Sequence, residues 1–341
     1  MTDFQMVHGF EDVWRPPAIR RARLTRAVLP PARSSGADLR ERLERVASHA
    51  PEVMVKVTGR TRDPAHLQAH LDYISRNGEL PLQTQDGARI VGRLAVRELA
   101  ADWSAEQLAD RMTRGDAPFS HSVILSMPVG TNEIAVRDAA RAFAADIFAG
   151  RHDYVFTLHT DTPRPHVHLS ICSRGLNGER LNPKKADLED WRQAFARALR
   201  DRGVEAEATP RRARGVTRKA ERTPLRKVRD RYEVGKGGMA QTQRAAYQEA
   251  AKAAFRGDTK PRDWELRILQ RQTFVRRTYL AQAALLRRSP NPEDRALGDK
   301  VEAFVRSMPA PASQRLALAR ELRAANSDQQ RKHPPERGRV R

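Results

Sequence analysis

The sequence of 341 residues has a single cysteine, Cys172, and aromatic residues make up only 6% of the chain. One thiol cannot close an intramolecular disulfide, and the lack of a Cys-x-x-Cys pair excludes a cysteine-based zinc finger. No apolar run approaches the ~20 residues that span a bilayer, and the first 15 residues lack the apolar segment of a signal peptide. These absences predict a soluble intracellular protein with no membrane insertion, in which any metal is held by His, Asp or Glu.

Acidic residues are also scarce, since 42 Asp and Glu stand against 63 Lys and Arg and leave a net charge of +21. The imbalance is concentrated after Arg202, where 33 basic residues face 16 acidic ones, against 30 and 26 before that point. Lys and Arg that face phosphates release condensed counterions, so this asymmetry predicts a nucleic-acid-binding surface in the second half. A solvated, arginine-rich helical tail is the alternative interpretation.

Periodicity and turn residues divide the chain into five parts. We predict a flexible arm over residues 1–36 that contributes little core, an α+β domain over 37–205, a basic linker over 206–238, a helical DNA- or partner-binding region over 239–326, and a disordered tail over 327–341. The α+β domain is expected to contain an antiparallel sheet flanked by helices, followed by the all-α basic C-terminal region. Within it, Thr131 is the predicted N-cap of a helix that runs to Ala149.

Three of the ten histidines fall within residues 159–168 (HTDTPRPHVH). The runs 154–161 and 166–173 predict a β-hairpin joined by a proline-containing turn. Alternate residues on a strand share a face, so His166 and His168 share one, His159 and Asp161 share another, and pairing of the strands lets three imidazoles converge on one ion. Three nitrogens leave positions open for water or a phosphate oxygen, as in a catalytic metal site. Strand histidines without a metal are the alternative.

A metal that faces phosphates suggests phosphodiester chemistry, for which Tyr73 is a candidate nucleophile. It lies near the end of a predicted helix over 63–76, and Arg76, three residues on, is expected to share its face and contact a phosphate. A phenol with a pKa of about 10 needs deprotonation, either by Asp161 or by a metal-bound water. From Tyr73 alone, the favoured interpretation of a single helical tyrosine is a half-buried packing residue.

Three segments together resemble a known family. Residues 71–80 (LDYISRNGEL) and 159–169 (HTDTPRPHVHL) resemble motifs I and III of the conjugative relaxases, the mobilization nucleases within the HUH endonucleases, especially the branch that nicks Ti-plasmid borders. Residues 122–131 (SVILSMPVGT) are similar to motif II of that branch. The resemblance spans about residues 52–218 and implies an HUH relaxase-like, palm-like fold for the nuclease domain over 37–205.

The resemblance also implies a role for each matching residue. The expected cofactor is a divalent metal, Mg or Mn with Zn, Co or Ni as alternatives, although imidazole ligands alone favour Zn, Mn, Co or Ni over Mg. The resemblance implies that Tyr73 is the nucleophile and that His159, His166 and His168 are the metal ligands. It also implies that Asp161 is the base or an orienting carboxylate and that Ser126 helps to position the DNA strand. Arg76 is expected to contact a phosphate of the same strand. Pro163 and Pro165 depart from the polar spacer of the family, and His66 and His70 have no family role.

Members of this family nick one strand at a transfer origin, stay attached to the 5′ phosphate through tyrosine, pilot the strand through a type IV secretion channel and later rejoin it. The resemblance therefore implies a metal-dependent single-strand DNA endonuclease and transesterase of the bacterial cytoplasm that is translocated to the recipient with the DNA. Its expected partners are single-stranded DNA at a transfer origin, a type IV secretion coupling protein and an accessory DNA-binding protein.

Three other interpretations stay open. A rolling-circle replication initiator usually places its tyrosine after the histidines, as Tyr232, Tyr247 and Tyr279 lie here. A non-catalytic basic DNA-binding accessory protein would need no metal chemistry. A metallohydrolase of small substrates would use the histidines but leave the basic C-terminal region without a role.

Overall fold

The computed structural model describes residues 4–14, 36–114, 117–216, 221 and 223–332. The chain divides into two compact units, the first holding residues 36–209 and the second residues 5–14 together with the chain from 210 onward. The first unit ends four residues later than the predicted domain, because Glu207 forms a bridge with Glu52 and the backbone of Thr209 donates to the Glu52 carboxylate. No helix among the described residues combines the length and the apolar character needed to cross a membrane.

One antiparallel sheet of six strands forms the centre of the first unit, as the sequence predicts for the fold class. The strands are β1 (Met54–Thr61), β2 (Leu82–Thr84), β3 (Arg89–Ile90), β4 (Ser120–Ser126), β5 (His152–His159) and β6 (His166–Gly175). Their order in the sheet is β1-β4-β6-β5-β2-β3, and every neighbouring pair is antiparallel. The β2-β3 hairpin is not among the predicted elements, although its turn contains Asp86 and Gly87, a pair typical of tight turns.

Helices cover both faces of this sheet. One face carries α3 (Pro64–Ile74) and α4 (Arg93–Arg114), which share a core with Leu82, Val155 and Cys172. The other face carries α5 (Glu133–Phe148) and α6 (Lys185–Arg200), whose aromatic residues pack on the odd-numbered residues of β4 and β6. The first unit also contains α2 (Gly36–Ala47), whose Arg42 and Arg45 pair with the buried Glu207 carboxylate.

The start of α5 differs from the prediction. Asn132, not Thr131, is the N-cap, because its side chain accepts a hydrogen bond from the Ala135 amide at 3.0 Å. The Thr131 hydroxyl instead donates to the Pro128 carbonyl at 2.9 Å, within the turn that leads into the helix. Both residue types cap helices well, so the turn decides between them.

The helix α3 begins where its sequence predicts and ends earlier than expected. Asp63 caps it by accepting from the His66 amide, and Pro64 occupies the first turn. It ends at Ile74, two residues before the predicted end, because Arg76 and Asn77 adopt left-handed conformations. Gly78 follows at a φ of +88°, and a Cβ there would lie 2.4 Å from the Gly92 backbone, so only glycine fits this turn.

The second unit is helical, as predicted, but begins with part of the N-terminal segment. Residues 15–35 of the predicted arm lie outside the described residues, whereas Phe10, Val13 and Trp14 are buried. Trp14 donates to the Tyr279 hydroxyl and Phe10 packs edge-on against the Tyr279 ring, which corrects the prediction that this segment contributes little core. The helices of the unit are α1 (Glu11–Trp14), α7 (Thr223–Glu233), α8 (Gln241–Phe255), α9 (Asp263–Arg287), α10 (Pro292–Ser307) and α11 (Gln314–Lys332).

Two other predicted boundaries of the second unit also change. The predicted linker over 206–238 contains a 3-10 turn over Arg211–Arg214 and the helix α7. The predicted tail starts inside α11, which continues to Lys332, while residues 333–341 lie outside the described residues. Both segments have few apolar residues, which is why a linker and a disordered tail were predicted. Both are also rich in arginine, and arginine favours helices despite its charge.

The Phe143 ring is central to the core between α5, α6 and the sheet, where it makes edge contacts with Phe148, Trp191 and Phe195. Truncation to alanine leaves a cavity, so we expect Phe143→Ala to lower the free energy of unfolding by about 3–5 kcal/mol. Ile134→Ala, on the exposed side of the same helix, is the matched control. The free energies of unfolding of both variants can be measured from hydrogen exchange of the β5 and β6 amides at increasing urea concentration. Equal exchange in the two variants would contradict a central role of Phe143 in this core.

Candidate metal and nuclease site

The β5-β6 hairpin brings the three histidines together, as the sequence predicts. His159 pairs directly with His166 across the hairpin, and Thr157 pairs with His168. Because directly paired and alternate residues share a face, all three rings lie on the side that carries α3. Each histidine offers one ring nitrogen, and the three nitrogens lie within 4.8 Å of one another. This separation suits three ligands of a single metal ion.

Backbone carbonyls orient two of these rings. His159 Nε2 lies 2.7 Å from the Ile74 carbonyl oxygen, and His166 Nδ1 lies 3.1 Å from the Arg164 carbonyl oxygen. Carbonyl oxygens only accept, so the ring protons are assigned to these two nitrogens, which leaves His159 Nδ1 and His166 Nε2 with free lone pairs. Hydrogen bonds of this kind hold metal-ligating histidines in one tautomer.

The third ring carries an unsatisfied nitrogen. His168 Nε2 is buried and has no hydrogen-bond partner among the described residues. An unpartnered buried polar atom is costly, and a metal ion at the three histidines would supply what the atom lacks. The chemistry of the donors and this orphaned nitrogen both fit a divalent metal.

Burial keeps two of the clustered histidines, His159 and His168, neutral. It lowers the pKa of His168 to about 3, with His159 and His166 nearby adding to the effect, and burial is also the main cause of the lowered pKa of His159. Neutral imidazole is the form that ligates metals, so both rings are in the binding form at neutral pH.

Tyr73 lies against this cluster. Its ring is edge-on to His168 at a centroid distance of 5.7 Å and tilted to His159 at 6.4 Å. The side chain nevertheless remains 60% exposed, whereas both histidines are buried. The structure therefore does not favour the interpretation that Tyr73 is a half-buried packing residue.

Arg76 and Asp161 meet each other instead of taking the positions expected from the sequence. Since α3 ends at Ile74, Arg76 lies outside the helix and does not share a helical face with Tyr73. Asp161 lies beyond the end of β5, so it does not share a strand face with His159. Arg76 Nη2 donates to Asp161 Oδ2 at 2.5 Å, and this hydrogen bond is the main cause of the lowered pKa of Asp161. The other carboxylate oxygen lies 4.0 Å from His159 Nδ1.

Ser126 lies on β4, on the same sheet face, where it pairs with His166. Its side chain is buried, and its hydroxyl donates to the Met127 carbonyl at 3.4 Å. Ser126 therefore lies next to the cluster, but it is buried, whereas Tyr73 is exposed.

Two contacts of the site are not among those predicted from the sequence. The Ile74 carbonyl that orients His159 is a backbone group, and no residue type signals it. His70, one turn before Tyr73, contacts the Ser122 hydroxyl through Nε2 at 2.9 Å, and its burial lowers its pKa to about 4. The helical spacing of His70 and Tyr73 was the available signal for the second contact.

Comparisons with known proteins match the region that contains the site. Residues 73–204 match the family described as relaxase, MobA/VirD2-like, nuclease domain. A T-DNA border endonuclease VirD2 of Rhizobium radiobacter is 29% identical over 186 residues, which is 48% of this chain and 43% of the relative. The VirD2 endonuclease of Agrobacterium fabrum (strain C58 / ATCC 33970) is 26% identical over 206 residues, which is 52% of this chain and 46% of the relative. The chain thus spans less than half the length of these relatives.

A solved structure described as "Molecular Basis of Vancomycin Resistance Transfer in Staphylococcus aureus" aligns with 47% of this chain and 99% of its own. The sequence identity is 13% and the TM-score is 0.32, a similarity too low to establish a common fold.

The family match covers Tyr73, the paired strands β5 and β6 and all three clustered histidines. It agrees with the resemblance of the three motifs. Residues 73–204 are therefore similar to the nuclease domain of MobA/VirD2-like relaxases, and both sequence relatives are VirD2 endonucleases.

Proposed function

We propose that this chain nicks one DNA strand, with site and strand specificity, at a transfer origin. In this proposal Tyr73 is the nucleophile, a divalent metal is held by three histidines, and a 5′-phosphotyrosyl intermediate both initiates and terminates conjugative DNA transfer. The antiparallel sheet would act as the palm of an HUH relaxase.

The observation that carries the proposal is the exposed phenol of Tyr73 beside three convergent imidazoles, of which those of His159 and His168 are buried. A packing tyrosine would bury its ring, and strand histidines without a ligand would satisfy their buried nitrogens with protein groups. Here Tyr73 is 60% exposed and His168 Nε2 is unsatisfied. A nucleophile open to solvent beside a metal-binding cluster is the arrangement that transfer of a phosphodiester to tyrosine requires.

The chemical step follows from the groups present. The Tyr73 oxygen attacks the scissile phosphorus, the phosphorus bond to the 3′ oxygen breaks, and the 3′ end leaves as a hydroxyl once protonated. The exposed phenol can release its proton to solvent. The new phosphotyrosyl ester retains the energy of the broken ester, so attack by a 3′ hydroxyl reverses the step and rejoins the strand without ATP.

His159, His166 and His168 would hold the metal. When bound, the metal supplies a positive charge that polarises the scissile phosphate. The resemblance of the motifs implies Mg or Mn as the proposed ion, whereas the all-imidazole donor set accommodates Zn, Co or Ni as well.

The contact with Arg76 supports an orienting role for Asp161 over a general base. A carboxylate with a lowered pKa is a weak base, and one of its oxygens is already occupied by the Arg76 guanidinium. The other oxygen lies near His159 Nδ1, where its negative charge would stabilise a cation on the histidines. Arg76 and Ser126 are proposed to contact the DNA strand, Arg76 while it still holds Asp161.

The second unit would add affinity that does not depend on sequence, because the chain after Arg202 carries 33 basic and 16 acidic residues. The proposal also includes two partners, a type IV secretion coupling protein and an accessory DNA-binding protein, and passage of the chain into the recipient with the DNA.

Of the tyrosines that follow the histidines, Tyr279 is fully buried and accepts a hydrogen bond from Trp14, which makes it unsuitable as a nucleophile.

Nicking can be measured on labelled single-stranded oligonucleotides tiled across the DNA that flanks the gene, with Mn or Mg. We expect one oligonucleotide to be cut and to leave a 5′ covalent adduct. Tyr73→Phe removes the attacking oxygen and should lower the rate on the order of 10³-fold or more. Tyr247→Phe, which changes an exposed tyrosine of the second unit, is the matched control. An adduct that survives Tyr73→Phe would refute the assignment of the nucleophile.

Metal binding can be measured separately from cleavage by calorimetric titration of Mn at pH 7.5. We expect one site per chain and a loss of at least about tenfold in affinity for His168→Ala, because one of three ligands is removed. His8→Ala, which removes an exposed histidine of the second unit, should bind as the wild type does. Equal affinity of His168→Ala and the wild type would contradict the metal site.

The contribution of the second unit can be tested with a chain of residues 36–209. Because this segment contains the whole site, we expect it to cut a short oligonucleotide at a rate within about threefold of the full chain. Its affinity for long single strands should be lower and fall less steeply with salt, since fewer counterions are released. Equal salt slopes for the two chains would show that the second unit does not contact DNA.

A further inference from the structure

A slot extends from the Tyr73 ring along the sheet, away from the β5-β6 hairpin. It has a volume of about 490 Å³, within the range of small-ligand pockets, and reaches His168 at one end. The slot lies between α3 and the paired strands β1 and β4. Its lining includes His66, His70 and Tyr73 from α3, and Gly59, Ser122 and Ile124 from the strands.

Gly59 keeps this slot open. It lies opposite Ser122 at an irregularity in the pairing of β1 with β4. A Cβ at Gly59 would meet no atom within 4 Å, and its φ lies outside the left-handed region, so the backbone does not require glycine there. The missing side chain therefore provides space on the face that carries Tyr73.

Two imidazoles with unused hydrogen-bonding capacity form the opposite wall. His70 is fixed by the contact of Nε2 with the Ser122 hydroxyl, and its Nδ1 has no partner among the described residues. The His66 side chain is exposed and likewise has no hydrogen-bond partner in the described part of the chain. His66 and His70 are four residues apart, so both rings project from the same side of α3.

The lining indicates an uncharged, planar occupant. Arg60 also lines the slot, and it pairs with His121 on β4. His121 shares a sheet face with Val123, two residues further on, which packs in the core on the side of α5 and α6. The guanidinium of Arg60 therefore points away from α3. No other Lys or Arg lines the slot within the described residues. Imidazole rings and the apolar Ile124 suit stacking and edge hydrogen bonds to a nucleobase better than they suit a phosphate.

We propose that this slot holds one unstacked nucleobase of the single-stranded DNA, from a nucleotide next to the scissile phosphate. The inference rests on the proposed function, because it takes the nicked strand as the ligand. A base held between α3 and the strands fixes the adjoining phosphate beside the Tyr73 hydroxyl and makes cleavage sensitive to the identity of that base.

Photo-cross-linking tests the slot without knowledge of the nick site. The full chain is irradiated with a random-sequence single strand of about 20 nucleotides, longer than a typical binding site, that carries one 5-iododeoxyuridine. We expect a nucleotide adduct on His66 or His70, resolved from Tyr73 by fragmentation of the tryptic peptide that covers residues 63–76. Gly59→Leu fills the slot and should lower the adduct yield on His66 and His70 about tenfold. Gly238→Leu, at another open glycine without a positive φ, is the matched control and should not lower it.

A second variant covers the case in which Gly59→Leu does not fold. His66→Ala removes an exposed side chain without a partner, so its unfolding temperature should match that of the wild type, while the adduct on His70 falls about fivefold as one wall of the slot is lost. No adduct on His66 or His70 in the wild type, or equal adduct yields in folded Gly59→Leu and the wild type, would overturn the proposal.

The cleavage assay on tiled oligonucleotides, run with the same proteins, separates this inference from the proposed function. Cleavage without a slot adduct would leave the nicking proposal standing and refute the base slot. A slot adduct without cleavage of any oligonucleotide would support the base slot and count against nicking.

Discussion

The site depends on the contact between the end of α3 and the β5-β6 hairpin. Apolar residues at positions 67, 71 and 74 fix the helix on the sheet, and the Ile74 carbonyl accepts the Nε2 proton of His159. This one hydrogen bond thus sets the tautomer of His159, a proposed metal ligand. It also fixes the end of the helix that carries Tyr73. The early end of α3, enforced by the turn at Gly78, makes this carbonyl available, because a longer helix would engage it internally.

Burial divides the roles within the site. Two of the three imidazoles, those of His159 and His168, are buried, which keeps them neutral and leaves one nitrogen of His168 in need of a ligand. Tyr73 lies on the same sheet face but at its rim, where a DNA strand can reach the phenol. The Arg76 and Asp161 pair adds one charge of each sign at that rim, where both side chains stay partly exposed, so neither charge is buried.

The features of the site that depend on local sequence patterns could be predicted. Alternation on two strands around a proline turn indicated the hairpin and the convergence of His159, His166 and His168, and the N-cap and apolar spacing of α3 placed Tyr73 on a helix. The positions of Arg76 and Asp161 could not be predicted, because they depend on left-handed residues after Ile74 and on a loop beyond β5. The burial of Phe10 and Trp14 is equally non-local, since their partner Tyr279 lies more than 260 residues away.

The central claim is that the phenol of Tyr73 attacks the DNA backbone beside the histidine cluster. Its most direct test is mass spectrometry of the tryptic peptides formed after the full chain has reacted with a cleavable single strand and a nuclease has trimmed the DNA. The account predicts a nucleotide joined through phosphate to Tyr73 within the peptide that covers residues 63–76. A phosphate-linked nucleotide on Tyr232 or Tyr247, or cleavage that leaves no nucleotide on any tyrosine, would contradict it.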